Sequence, residues 1–206
     1  MKNLITRPSV LIFTFALGVA AVYGIYSILS RNVETVAAPH VYTSERGEDI
    51  AAIYSDILKQ EGYRVSDVLI SDRTGSDDTF EELVVDKGWG GSADMLASYR
   101  ANNVKRIPIR EFLADWPQAA FWTQEMSDAT FRTNPVVGWK LFREQHPGLK
   151  GFVTFSGVGF NATGDRALVF FTYSCGPLCA SGIYFDMRKP ADGIWYVAYK
   201  TGLWAA

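Results

Sequence analysis

The hydrophobic pattern changes character along the chain. From Val10 to Leu29 it is continuous, with no charged position and a predominance of Val, Leu, Ile, Phe and Ala. A stretch of about 20 such residues makes a helix about 30 Å long, enough to cross a hydrocarbon core. Between Glu48 and Gly62 the apolar positions are Ile50, Ile53, Tyr54, Ile57 and Leu58, the spacing of one face of an α-helix. Glu48 and Asp49 favour its N-terminus through the helix dipole, and Gly62 suits a left-handed stop. Val68-Leu69-Ile70 followed by Asp72-Arg73-Thr74-Gly75 predicts a short strand and a turn. Helices are expected over Phe80–Val85 and Ser92–Asn102, with Ser92 as N-cap of the second and a glycine-rich Lys87–Gly91 between them. Asn134-Pro135 starts a further helix through Trp139, Leu141 and Phe142, which stops before Pro147-Gly148.

From Gly151 the pattern turns to short aromatic and β-branched runs: Phe152–Phe155, Ala167–Tyr173, Ile183–Met187 and Trp195–Tyr199. Turn-forming clusters at Asn161–Gly164, Cys175–Cys179 and Pro190–Gly193 separate them, which predicts an antiparallel meander. Leu168–Phe171 is apolar on both faces and is expected to be a central strand covered by helix. Helices followed by a meander give an α+β fold: an N-terminal transmembrane helix, then helices packed on a C-terminal antiparallel sheet. The expected organisation is a cytoplasmic N-terminus over 1–9, an anchor over 10–30, a tether over 31–45 and a single extracytoplasmic domain over 46–206.

Charge sets the orientation of the apolar stretch. Lys2, Arg7 and the α-amino group lie before it and Arg31 after it, so the body of the chain is expected on the translocated side. The alternative is a cleaved signal peptide, whose apolar region is usually shorter. Val36-Ala37-Ala38 resembles a cleavage site, but Pro39 follows directly. No cysteine near the stretch offers a lipid attachment point. With 20 basic against 22 acidic residues there is no basic excess of the kind phosphate recognition requires, so no nucleic-acid partner is expected.

The chemistry on offer is thin. Cys175 and Cys179 are expected to form a disulfide across a three-residue hairpin loop, Gly176-Pro177-Leu178, which would stabilise by about 2 kcal/mol. A redox-active dithiol is the alternative. Such motifs hold two residues between the cysteines at a strand-to-helix junction, whereas here three intervene between strands. The histidines are His40 and His146, too few for most triads, and neither has ligand spacing to the cysteines. Ser156-Gly157-Val158-Gly159 lacks the glycine before the serine that a nucleophile elbow needs. Asp72, Asp77, Asp78, Glu81, Glu82 and Asp86 lack calcium-loop spacing, and Asn161-Ala162-Thr163 matches a glycosylation sequon. No catalytic residue, cofactor or metal is assigned.

The C-terminal half resembles a recurrent pattern in uncharacterised bacterial exported or lipid-anchored proteins. The residues that carry the resemblance are His146-Pro147-Gly148, Phe155 to Asn161, Arg166-Ala167-Leu168-Val169, Cys175-Gly176-Pro177-Leu178-Cys179 and Gly193-Ile194-Trp195-Tyr196-Val197. Ile53-Tyr54-Ser55, Leu58 and Leu69-Ile70 match upstream. That group often has glycine directly after the second cysteine, whereas Ala180-Ser181 precede Gly182 here. The resemblance implies export and the meander, and brings no activity with it. The expected function is a non-enzymatic, membrane-anchored binding or interaction module outside the cytoplasm, its partner an envelope protein or small molecule. The alternatives are a carboxylate-based envelope hydrolase and a thiol-redox protein using Cys175 and Cys179.

Overall fold

The computed structural model describes residues 46–75, 91–114 and 116–206. The expected anchor, the tether (31–45) and the helix over 80–85 lie outside them. Among the described residues no helix is long and apolar enough to cross a membrane.

Four helices and seven strands are described, and the fold is α+β. The elements are α1 (Gly47–Gln60), β1 (Leu69–Ser71), α2 (Ala93–Asn103), β2 (Ala120–Trp122), α3 (Gln124–Phe131) and α4 (Pro135–Gln145). β3 (Phe152–Phe155), β4 (Gly159–Phe160), β5 (Arg166–Gly176), β6 (Cys179–Arg188) and β7 (Tyr196–Ala205) follow. The strands form one sheet in the order β2-β1-β3-β5-β6-β7, with β4 also paired to β5.

β3 to β7 are antiparallel, as the meander pattern predicts. The sheet as a whole is mixed, because β1 runs parallel to both β2 and β3. Parallel neighbours need crossover connections. α2 lies between β1 and β2 in sequence, and α3 and α4 lie between β2 and β3, so the crossovers carry three of the helices.

α1 forms where its pattern predicts and ends in a Schellman arrangement. Gly62 adopts φ +76°, its N–H donates to the Lys59 carbonyl, and the Tyr63 N–H donates to that of Leu58. Ile50, Ile53, Tyr54, Ile57 and Leu58 are fully buried against Val153, Phe155, Val169, Phe171 and Phe185 on one sheet face. Each such side chain contributes about 1.5–3 kcal/mol relative to exposure. Polar positions of α1 hold the far edge of the sheet. Asp49 accepts from Lys189 Nζ and Trp195 Nε1, Asp56 accepts from the Val197 N–H, and Glu61 pairs with Lys200.

Strand alternation sends Phe152, Leu168, Phe170 and Tyr184 to the opposite face. There α2 supplies Met95 and Tyr99, and α4 supplies Trp139 and Phe142. β5 is therefore central and covered by helix on both faces. α4 begins with Asn134 accepting from the Val137 N–H ahead of Pro135 and ends before Pro147.

β3 and β4 are interrupted at 156–158, where the Ser156 N–H still donates to the Phe170 carbonyl. Side chains supply further bonds to this buried backbone. Ser156 Oγ accepts from the Phe170 N–H and donates to the Gly157 carbonyl. Asn102 Nδ2 donates to the Val158 carbonyl at 2.7 Å, and the Asn103 amide bonds both the N–H and the carbonyl of Gly157. Ser98 Oγ accepts from the Phe160 N–H, and the Tyr54 hydroxyl donates to the Ser156 carbonyl. A Cβ on Gly159 would sit 2.6 Å from Tyr99 Cα, so helix and strand backbones touch only because glycine is there.

Asn102→Ala removes the buried amide that donates to the Val158 carbonyl and should cost about 1–3 kcal/mol. Gly159→Ala should cost about 1–3 kcal/mol by overpacking. Urea denaturation with an unchanged slope checks both; a loss below about 0.5 kcal/mol in either variant would contradict this account of the docking.

Candidate functional site

The chain leaving β1 stays pinned as it passes the end of the sheet. The Asp72 N–H donates to the Trp122 carbonyl, and the Asp72 carbonyl accepts from the Ile109 N–H. The Thr74 N–H bonds the Ile107 carbonyl while its hydroxyl accepts from the Ile107 N–H. Gly75 donates to the Phe155 carbonyl at 2.8 Å. Residues 71–75 are thus a fixed rail between the 106–109 segment on one side and the ends of β2 and β3 on the other.

β2 runs directly into α3 through Thr123, whose hydroxyl caps the helix by accepting from the Met126 N–H. Behind this junction stands an aromatic block. Trp122 and Trp139 each stack on Phe152, with centroids 5.4 and 5.5 Å apart and interplanar angles of 12° and 7°. Phe131 and Phe142 meet them edge-on. Gly138 lets Phe131 reach Trp139, since any Cβ there would collide with the Phe131 ring.

A pocket of about 150 Å³ opens at the carboxyl ends of β1 and β2, beside the first turn of α3. Clefts in that position are where open sheets with parallel strands commonly hold ligands. Trp122 and Phe152 give its apolar wall; Ser71, Thr74, Thr123, Ser127, Thr154 and Gln124 give hydroxyl and amide groups. Arg73 and Arg106 bring positive charge and Asp72 the one carboxylate among the described lining residues. Arg73 Nη1 donates to the Arg106 main-chain carbonyl at 3.4 Å. Hydrogen bonds from its own backbone N–H and then the Thr123 hydroxyl, with Arg73 adding to them, hold the carboxyl of Glu125, in the first turn of α3, below its ordinary value. A volume of 150 Å³ is that of a cavity able to hold benzene, so a ring or a short polar chain fits.

No family model, no curated protein and no solved structure matches the chain.

Cys175 and Cys179 are joined as a disulfide, with Cα atoms 5.1 Å apart. The loop between them is shorter than the sequence suggested. Gly176 pairs directly with Cys179, leaving a two-residue turn of Pro177-Leu178 and placing Cys175 in an irregularity of β5. His146 does not join this pair. Its ring packs against Trp122 and Phe142, at centroid distances of 5.9 and 5.1 Å, as part of the aromatic block. Ser156 is 1% exposed and bonded on both sides, so it serves the fold. Of the acidic stretch, Asp72 reaches the pocket and the other five positions lie outside the described residues. Among those described, no group of three or more His, Cys, Asp or Glu side chains converges.

The Asn161 sequon residue is engaged in its own turn. Its amide donates to Thr163 Oγ1 and Asp165 Oδ1, and its carbonyl oxygen accepts from the Asp165 and Arg166 N–H groups. Hydrogen bonds from Thr163 and then Asn161 hold the Asp165 carboxyl below its ordinary value.

Sequence reasoning did not single out Arg73, Arg106, Thr123 or Gln124 as site residues. Arg73 was visible in the turn after β1. The others were hidden because β2 is three residues long and α3 has little apolar periodicity, so their junction left no clear trace.

Two measurements follow from these geometries. A depressed Asp165 stabilises the fold above its unfolded value of about 3.9, and this contribution disappears as pH falls through the lower folded value. Asp165→Asn should therefore flatten the melting-temperature curve below pH 4 and leave its shape above pH 5 unchanged. Removing the disulfide in a Cys175→Ser, Cys179→Ser double variant should lower unfolding free energy by about 2 kcal/mol. A loss in urea denaturation far beyond that would show that the bridge supports more than its own turn.

Proposed function

We propose that the chain is a membrane-tethered, non-enzymatic binding module whose domain lies outside the cytoplasm, with the pocket at the carboxyl ends of β1 and β2 as its ligand site. The pocket carries this reading. It combines apolar aromatic lining, a ring of hydroxyl and amide groups and two arginines in a rigidly held frame. Such a mixture of an apolar surface and a few fixed polar groups is what small-molecule sites are made of.

The disulfide supports an oxidising location, because such bonds persist outside the cytoplasm and are rare within it. The uncharged stretch Val10–Leu29, with positive charge ahead of it, supports an anchor that leaves the domain on the far side. A carboxylate-based hydrolase would draw on paired carboxyl groups, and the described lining brings Asp72 alone to the pocket. The cysteine pair bridges two antiparallel strands at a hairpin tip, away from the helix N-terminus that activates redox thiols.

Protein recovered from the cell envelope should resist alkaline extraction, and Cys175 and Cys179 should take up a thiol mass tag only after reduction. Tagging without reduction would remove the extracytoplasmic placement. In a thermal-shift screen of small polar compounds on the full-length chain, binders should raise the melting temperature without being consumed. Turnover of any compound in parallel hydrolase and oxidoreductase assays would replace the binding role with catalysis.

A further inference from the structure

On the reading that this pocket is the ligand site, we propose that it selects small carboxylate-bearing molecules. Arg73 and Arg106 hold the carboxylate, and the Trp122–Phe152 pair packs against the flat or apolar remainder. Charge decides first. The described lining carries Arg73 and Arg106 against Asp72, so the formal sum is +2 − 1 = +1. Glu125, outside the lining, lies within reach of the Arg73 charge, so a single negative charge is the most the pocket matches, and a dianion overshoots it beside the Asp72 carboxylate.

Placement agrees with the charge. Arg73 Nη1 donates to the backbone carbonyl of Arg106 at 3.4 Å, so the Arg73 guanidinium lies beside the Arg106 main chain. Among the described residues neither side chain forms an ion pair within hydrogen-bonding range. Guanidinium groups match planar carboxylates through parallel N–H donors, which a point-charge ammonium does not reproduce. Thr123 and Gln124 sit at the start of α3, where the backbone adds partial positive charge. Trp122 and Phe152, nearly parallel at 12°, give the pocket its apolar lining, against which the hydrocarbon part of a ligand packs. The two halves together fit an aromatic or short-chain carboxylate in about 150 Å³.

The test is calorimetric titration of the full-length chain, in a neutral detergent at constant ionic strength, with benzoate, benzamide and inorganic phosphate. Benzoate should bind at least tenfold more tightly than benzamide, its neutral isostere. Arg73→Gln and Arg106→Gln should each weaken benzoate about tenfold and leave benzamide unchanged, with Arg73→Lys recovering only part of the loss. Asp72→Asn should strengthen phosphate more than benzoate, because it removes the group that opposes a second negative charge. The exposed arginine variants should keep the parent melting temperature, which separates lost binding from lost fold. Equal binding of benzoate and benzamide would overturn the carboxylate assignment and leave the ligand site standing. Phosphate binding more tightly than benzoate to the parent chain would reassign the site to phosphate-bearing ligands. Binding of none of the three would overturn the carboxylate assignment; whether the pocket takes any ligand is then decided by the thermal-shift screen.

Discussion

The fold depends on sealing the backbone where β3 breaks off into β4. Residues 156–158 lie deep beside β5, with Ser156 only 1% exposed, and a buried peptide group without a partner costs about as much as a lost hydrogen bond or more. α2 meets that demand with side chains, through Ser98, Asn102 and Asn103, while Tyr54 reaches the same segment from α1 on the other face. Glycine at 157 and 159 makes the approach sterically possible, since a Cβ at either position would collide with α2. One short segment therefore ties both helical layers to the central strand.

That arrangement explains which parts of the chain were legible. α1 and α4 announce themselves because each buries an apolar stripe and carries recognisable end signals. β5 was legible as central because both its faces are apolar, and both are covered. α2 was found by its limits, yet its buried face is half polar: beside Met95 and Tyr99 it buries Ser98 and Asn102 for their hydrogen bonds, so hydrophobic periodicity is nearly absent from a well-packed helix. β7 extends well beyond the expected Tyr199 because an edge strand with exposed positions mixes Lys200, Thr201 and Gly202 into its run. Trp195, expected to open that strand, is instead buried before it and bonded to Asp49.

The mixed character of the sheet was the larger omission, and its cause is length. β1 and β2 are three residues each, too short for a period to show, and their pairing joins positions about 50 residues apart. Nothing local in Ala120–Trp122 says that it will lie beside Leu69–Ser71. Parallel pairing nonetheless brings two strand ends and a helix start to one place, which is why the pocket forms there and why its residues are scattered in sequence. The cysteine pair, by contrast, is local, and its bond was legible even though the turn proved one residue shorter than expected.

The pocket also inherits its rigidity from the fold rather than from its own lining. Arg73 and Arg106 are exposed, and exposed long side chains pay entropy to hold one geometry. Their backbones are not free to wander, because the 72–74 segment is bonded to 107–109 and to β2, and Gly75 is bonded to β3. The aromatic wall is equally fixed, with Trp122 4% exposed and braced by Phe131, Phe142, Phe152 and His146. A ligand entering this site orders two side chains instead of a loop, so more of its interaction energy remains as affinity. The same bracing gives the aromatic residues around the pocket a double role, since each ring that stiffens the wall also closes the core under β1 and β2. On the proposed reading, ligand binding and stability are coupled at Trp122. Substitution there would loosen the floor of the pocket and the packing of α3 and α4 together, whereas the arginines at the rim are free to change without disturbing the fold.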